Sequence, residues 1–341
     1  MPATQLKRVG PSIALAVSAS TLSACSSLPF FGGTEVYSLF TGDADSAWCV
    51  PGDESRLLES GADLRGPHFA LSLMCSFTGT EIPDAVDSGD LSELQEADAD
   101  TEFVIAQFAL SDAYEAEAET GEVAGVWIEA DGEKLALDAL PAPGGYIALT
   151  VPTGGDVVLW VEDEDRAQGI DLRSGERVEP VAAYYSGLTT DPVVIDQFAY
   201  EDLSIVNDTD AYRVTCGSDT LEGQRSVWRE ELGWAEEGTV FLEVSFTWCS
   251  YEDPGILWHL GEGSLAARTG DAPAQALSWT EFELGEEFHG DLRYEAVFAI
   301  PEEAAAATLV FTPIGDLENL DGGADYAFAY TPDPIERELV F

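Results

Sequence analysis

TEFVIAQF at residues 101–108 and TVFLEVSF at residues 239–246 read as two versions of one strand. Both open on threonine, place phenylalanine two and seven positions later, and fill the space between with mostly apolar residues. β-Branched and aromatic side chains suit a pleated, packed surface, so each octet predicts a strand. A second segment also recurs. YIALTVP at residues 146–152 is matched by YEAVFAIP at residues 294–301, and each proline precedes a polar turn and a further apolar strand, residues 157–161 and 307–311. Proline there ends pairing and sends the chain toward a second sheet. Further alternating runs, such as 123–129 (VAGVWIE), are broken by Gly, Pro and Asp about every ten residues. Long 3.6-residue periodicity is nearly absent; only residues 93–100 and 225–231 offer a helical turn or two. The expectation is an all-β chain of antiparallel sandwiches, present twice, since the period is far too long for a solenoid.

The chain divides accordingly into residues 37–183 and 193–341, joined at 184–192 (YYSGLTTDP). The order of pieces in the first half resembles the telokin-like immunoglobulin-type domains of bacterial lipoproteins: the strand at 103–108, a strand ending in Asp-Gly at 128–132 (IEADG), a strand closing on Val-Pro at 149–152, then 157–161 and 170–172. The resemblance implies two immunoglobulin-like sandwiches in tandem and transfers no catalytic residue. The second half lacks the Asp-Gly and carries a longer stretch at 261–284. Antibody-type topology is not expected, because the cysteine spacings are too short for the usual inter-sheet bridge.

The first residues say where such a chain belongs. Lys7 and Arg8 form a basic start, residues 13–17 (IALAV) begin an apolar stretch, and no acidic residue precedes Cys25. This is the layout of an export signal, too short and too interrupted to remain as a spanning helix. Leu22-Ser23-Ala24-Cys25 at its end resembles the bacterial lipobox. That resemblance implies a signal peptide at 1–24, a diacylglycerol thioether and acyl chains such as palmitate on Cys25, and a short tether at 25–36 holding the fold near the cell membrane. Two or three acyl chains anchor stably where one does not. An ordinary secretory signal, cut after Ala19 or Ala24, is the alternative. Without an Arg-Arg pair, the general export route is expected.

Charge narrows the partners. Fourteen Lys and Arg face 65 Asp and Glu among 341 residues, a net charge of −51. Such a surface repels phosphate backbones and anionic headgroups, which excludes nucleic-acid binding and leaves the lipid on Cys25 as the membrane attachment. Solubility accounts for the acidity in general terms, and a salt-rich habitat more specifically. Acidic runs at 162–165 and 316–323 lack the spacing of a dedicated calcium loop.

Four further cysteines lie beyond Cys25: Cys49, Cys75, Cys216 and Cys249. An even number outside the cytosol predicts two disulfides, and 49–75 with 216–249 is the simplest of three connectivities. With no C-x-x-C and only His68, His259 and His289, no metal ligation and no cofactor are expected. No G-x-S-x-G, H-E-x-x-H, S-x-x-K or Walker loop is present, so no catalytic residue is named. His259 reads as a packed strand residue and His289 as a loop residue. Among the eight tryptophans, Trp127, Trp160 and Trp248 fall in strand runs and are expected in the core. Trp228, Trp234, Trp258 and Trp279 are the candidates for an exposed binding surface. The function expected is a non-enzymatic, membrane-anchored, extracytoplasmic module that binds or displays, with a protein or glycan of the envelope as partner. The alternative is carbohydrate or solute binding through the aromatics of the second half.

Overall fold

The computed structural model describes residues 34–44, 47–49, 58–83, 86, 91, 96–109, 123–219, 221–249, 255–284, 292–320 and 322–341. Cys25, the tether before residue 34 and His289 lie outside the described residues. The chain is all-β: among the described residues there is no α-helix, and no helix is long and apolar enough to cross a membrane.

Strands of the first half are β1 (Leu39–Asp43), β2 (Leu58–Arg65), β3 (Ala70–Gly79), β4 (Thr101–Phe108), β5 (Gly125–Ala130), β6 (Glu133–Leu137), β7 (Gly145–Pro152), β8 (Val157–Asp163), β9 (Arg166–Asp171) and β10 (Arg177–Val178). The second half begins with β11 (Val193–Ile195), β12 (Ala199–Val206), β13 (Ala211–Gly217), β14 (Leu221–Ser226), β15 (Trp228–Arg229), β16 (Gly233–Trp234), β17 (Thr239–Thr247) and β18 (Ile256–Leu260). It ends with β19 (Leu265–Thr269), β20 (Ala272–Pro273), β21 (Gln275–Glu283), β22 (Leu292–Pro301), β23 (Ala306–Phe311), β24 (Gly315–Asn319), β25 (Ala327–Phe328) and β26 (Ile335–Val340).

The repeated strands pair in the same register. β4 lies antiparallel to β7 with Thr101 opposite Pro152, and β17 lies antiparallel to β22 with Thr239 opposite Pro301. The proline sits at the strand's last position in both copies, where the ladder ends. Sheet order also repeats: β1-β7-β4-β3-β2 in the first half corresponds to β21-β22-β17-β14-β11 in the second. The facing sheets, β10-β9-β8-β5-β6 and β26-β23-β19-β20, match from β9 and β26 onward. Asp131 and Gly132, both with positive φ, close the β5–β6 hairpin. Its counterpart between β19 and β20 turns on Gly270-Asp271 instead, a glycine-first two-residue turn that explains the missing Asp-Gly.

Each sandwich core is built from the inward rows of its facing strands. Val104, Ala106 and Phe108 of β4, Ile147 and Leu149 of β7, and Ile128, Leu159 and Val161 of the facing sheet form the first-half core. In the second half Phe246 meets Phe311, Tyr294 and Phe198 at ring separations of 5.6, 5.7 and 6.1 Å. Full burial of such a ring contributes about 2 to 3 kcal/mol. β4 does not show the in-out alternation of a half-solvated strand. Its other row, Phe103, Ile105 and Gln107, is buried too, under a small second core with Trp48, Phe77, Val86 and Leu91. Gln107 is satisfied there by the Trp48 N–H, which donates to Oε1 at 2.8 Å.

Disulfides join Cys49 to Cys75 and Cys216 to Cys249. The first bridge ties the Trp48 segment to β3 and so closes the small core. The second ties β13, in the separate three-stranded sheet β13-β12-β25, to the end of β17 in the main sheet.

Three expectations need correction. Residues 225–231 are not helical: Arg225 and Ser226 end β14, and Trp228 and Arg229 pair with Trp234 and Gly233 in a short hairpin. Cross-strand pairing of two tryptophans outweighs a helical turn that has no apolar stripe to bury. Residues 92–95 lie outside the described residues, and Ala97 beyond them makes a bridge to Thr34. Second, Trp127 and Trp160 do not point into the core. Val126, Ile128 and Ala130 take the inward row of β5, so the two rings lie half-buried and stacked on the outer face at 6.2 Å. The ammonium of Lys134 lies 3.6 Å from the centre of the Trp127 ring. The ring of Trp160 covers Gly169, where a Cβ would sit 3.1 Å from it and 2.7 Å from Val158 Cγ1, so a larger residue would force its neighbours to shift. Trp248 is core, at 2% exposure. Third, Trp258 is buried at 3% exposure, because Ile256, Trp258 and Leu260 form the inward row of β18.

Candidate functional site

Three hairpins converge where the two halves meet. The β2–β3 hairpin turns through Gly66-Pro67-His68-Phe69, closed by the Gly66 N–H donating to the Phe69 carbonyl at 2.9 Å. The β8–β9 hairpin turns on Glu164 and Asp165, both in the left-handed region with φ of 49° and 60°. The third is the β15–β16 hairpin, whose cross-strand pair is Trp228 and Trp234.

Asp163 is the last residue of β8 and lies on its inward row after Val157, Leu159 and Val161. It is therefore a carboxylate at a core position, 2% exposed. His68 satisfies it twice: the backbone N–H donates to Oδ2 at 2.9 Å, and ring Nδ1 lies 2.8 Å from Oδ1. The Glu164 Oε1 lies 3.8 Å from the same Nδ1. One imidazole and two carboxylates thus offer ligand atoms all within 4.8 Å of one another.

The second half closes over this cluster. The Trp228 ring meets the His68 ring edge-on at 4.9 Å. Trp234 Nε1 donates to the Glu164 carbonyl at 2.8 Å, and the Arg166 guanidinium sits 5.2 Å above the Trp234 ring. Arg229 fixes the hairpin from behind by pairing with Glu243 and, at 2.8 Å, with Glu295 on the main sheet. Beside it is a cavity of about 240 Å³ lined by Ser226, Trp228, Arg229, Glu230, Glu231 and Glu243.

A second tie runs through the connecting segment. Val181, Ala183, Tyr184 and Leu188 pack into the second-half core, so residues 181–188 are a seated clip. The Tyr185 hydroxyl accepts from the Arg65 N–H at 3.0 Å, and the Arg177 guanidinium covers its ring at 3.8 Å. Burial, opposed in part by these arginines, raises the Tyr185 phenol above its ordinary value. Both arginines also pair with the buried carboxylate of Asp63.

Of the four tryptophans expected at a binding surface, Trp228 and Trp234 are brought together here and half-buried. Trp258 is core, packed on Trp248 and Phe328. Trp279 is part-buried against Phe246 and Tyr294, with Nε1 donating to the Leu260 carbonyl at 3.1 Å. The contact between His68 and Asp163 spans 95 residues and had no local motif. One signal was present: the alternation of β8, carried one step past Val161, places Asp163 on the buried row.

His259, expected as a packed strand residue, lies in a strand but on the outward row of β18, because Ile256, Trp258 and Leu260 take the inward one; two acids hold it there. Its Nδ1 lies 2.9 Å from Glu281 on β21, and its Nε2 lies 3.4 Å from Glu318 on β24. Partial burial opposes the charge, but hydrogen bonds and attraction from both glutamates outweigh it and raise the pKa. With the folded value above the unfolded one, this tie stabilises fully below about pH 6.5 and fades as pH rises through the raised value. The ring is more than a third exposed, so the effect stays within the ~1 kcal/mol of a surface pair. His259→Gln should melt lower than the native chain at pH 5.5 and equal to it at pH 9. A gap unchanged across that range would contradict the assignment.

No family model matches this chain, and no curated protein matches it. Among solved structures it is similar to the conserved domain protein from Bacillus anthracis, at 8% identity over 85% of this chain and 93% of that one. The TM-score is 0.19, and a likeness at that level carries no argument about fold or function.

Proposed function

We propose that the chain is an exported lipoprotein anchored through Cys25, carrying two tandem immunoglobulin-like sandwiches, 37–183 and 193–341, on the extracytoplasmic face of the cell membrane. There it acts by binding or display, without catalysis, toward a protein or glycan of the envelope. The observation that carries this reading is Leu22-Ser23-Ala24-Cys25 behind a basic start and an apolar stretch. Two disulfides in separate halves support an oxidising compartment. A net charge of −51 supports a lipid as the attachment, since the surface itself repels anionic headgroups.

The cavity beside Trp228 favours a second reading. Three glutamates and one arginine around an aromatic wall suit a small hydroxyl-rich or cationic solute, which would place ligand binding near the junction of the halves.

Fractionation of cells tests the main reading. The native protein should sediment with membranes and partition into detergent. Cys25→Ser should appear in the soluble fraction or persist as an uncleaved precursor. Native protein that is wholly soluble after export would contradict the anchor.

A further inference from the structure

The geometry points to a binding site for one divalent transition cation of the zinc type at the junction of the two halves, with His68, Asp163 and Glu164 as ligands. This site does not depend on the lipid anchor.

The three donor atoms lie within 4.8 Å of one another, close to the spacing of a coordination shell. Zinc takes imidazole nitrogen and carboxylate oxygen at about 2.0 to 2.2 Å, which sets neighbouring ligands roughly 3.0 to 3.5 Å apart. Here Nδ1 of His68 lies 2.8 Å from Asp163 Oδ1 and 3.8 Å from Glu164 Oε1. Small side-chain movements bring all three to one ion. An imidazole beside two carboxylates suits zinc and its neighbours, whereas calcium takes oxygen ligands.

Charge gives the second ground. The Asp163 side chain is 3% exposed and stands beside Glu164, in a chain already heavily negative. Among the described residues, the one cationic or potentially cationic group paired with it is His68. Arg166, the next residue but one after Glu164, is turned to the Trp234 ring. A bound dication would offset two adjacent carboxylates, one of them desolvated, that a single imidazole offsets only in part. This separates the cluster from the many exposed acids elsewhere, which water and solution ions screen.

The setting is prepared. Asp163 Oδ2 is held by the His68 N–H, and Oδ1, 2.8 Å from Nδ1, would exchange that contact for the ion. The Trp234 indole holds the Glu164 carbonyl, and the Trp228 edge walls the imidazole. Three protein ligands leave at least one position for water or a partner's donor group. Because both tryptophans belong to the second half, cation binding would also brace one half against the other.

Cobalt(II) and zinc are the probes, with the purified protein in 0.5 M sodium chloride to suppress loose collection of cations by the acidic surface. Equilibrium dialysis should give one saturable zinc per chain, and cobalt should show visible ligand-field bands that zinc abolishes. Loss of an outer partner of a metal ligand costs about 10- to 100-fold in affinity, so loss of a ligand itself should cost at least ~100-fold in His68→Gln and Asp163→Asn. Glu164→Gln is exposed in a turn and leaves the fold intact, and it should weaken binding at least ~10-fold. Glu162→Gln, on the outer row of β8, should bind as the native protein does. Absence of a saturable equivalent, or native affinity in Glu164→Gln or His68→Gln, would overturn the site.

Discussion

Removing the Cys216–Cys249 bridge by the double substitution Cys216→Ala and Cys249→Ala should destabilise the second half by about 3 to 4 kcal/mol. The bridge closes a loop over a sequence separation of 33, which sets the chain entropy it withdraws from the unfolded state. Its position adds to that. Among the described residues, the three-stranded sheet β13-β12-β25 shares no backbone ladder with the main sheet. Apart from the bridge, contacts near this corner include the Cys249 N–H donating to the Gly217 carbonyl at 2.8 Å, the Asp219 N–H donating to the Thr247 carbonyl at 3.3 Å, the Thr247 N–H donating to Asp219 Oδ1 at 2.7 Å, the Ser218–Trp248 bridge and side-chain packing. Tyr200 of β12 and Trp248 meet edge-on at 6.1 Å, and Trp248 packs on Phe311 at 4.8 Å. Without the covalent tie these rings and the few hydrogen bonds at the corner must hold the two sheets together. Urea unfolding should show a midpoint at least about 1 M lower in the double variant than in the oxidised parent. Midpoints that coincide would show that the bridge constrains nothing.

The second large effect is electrostatic. Thermal melts of the purified protein should shift upward as sodium chloride rises from 0.01 to 1 M, over which the Debye length falls from roughly 30 to about 3 Å. Among the described residues six arginines, Arg65, Arg173, Arg177, Arg213, Arg229 and Arg268, pair with carboxylates. Several other cations are spent elsewhere: Lys134 on Trp127, Arg166 on Trp234 and Arg225 on Phe341. Most of the 65 acids therefore face one another through solvent, and only solution ions screen them. Relief of about 2 kcal/mol would raise the melting temperature by ~4 to 8 °C for units of this size. Chloride is the right anion, since sulfate would also strengthen apolar burial. Calcium at millimolar levels should add little beyond its ionic strength. A melting temperature flat in sodium chloride would contradict the electrostatic account.

The architecture was legible because the strands advertise themselves locally. The two octets at β4 and β17, and the prolines ending β7 and β22, repeat in sequence and recur in register. What was hidden depended on contacts distant in the chain. β4 is buried on both faces because Trp48, Phe77, Val86 and Leu91 cover its second row, and nothing within the strand announces that cover. Trp127 and Trp160 looked like core residues because their neighbours are apolar, but alternation sets them on the outer row. Trp258 shows the same rule in reverse, since the row through Ile256 and Leu260 carries it inward. The β15–β16 hairpin is two residues per strand, too short to show any period. His68 joined to Asp163 required two turns from opposite sheets to meet, which no spacing could reveal.

Covalent chemistry at Cys25 is the central claim, and mass spectrometry of the protein extracted from membranes tests it most directly. The account predicts that the N-terminal peptide begins at Cys25 and carries a diacylglyceryl thioether with at least two acyl chains. A mature N-terminus elsewhere, or an unmodified Cys25 thiol in the exported protein, would contradict it.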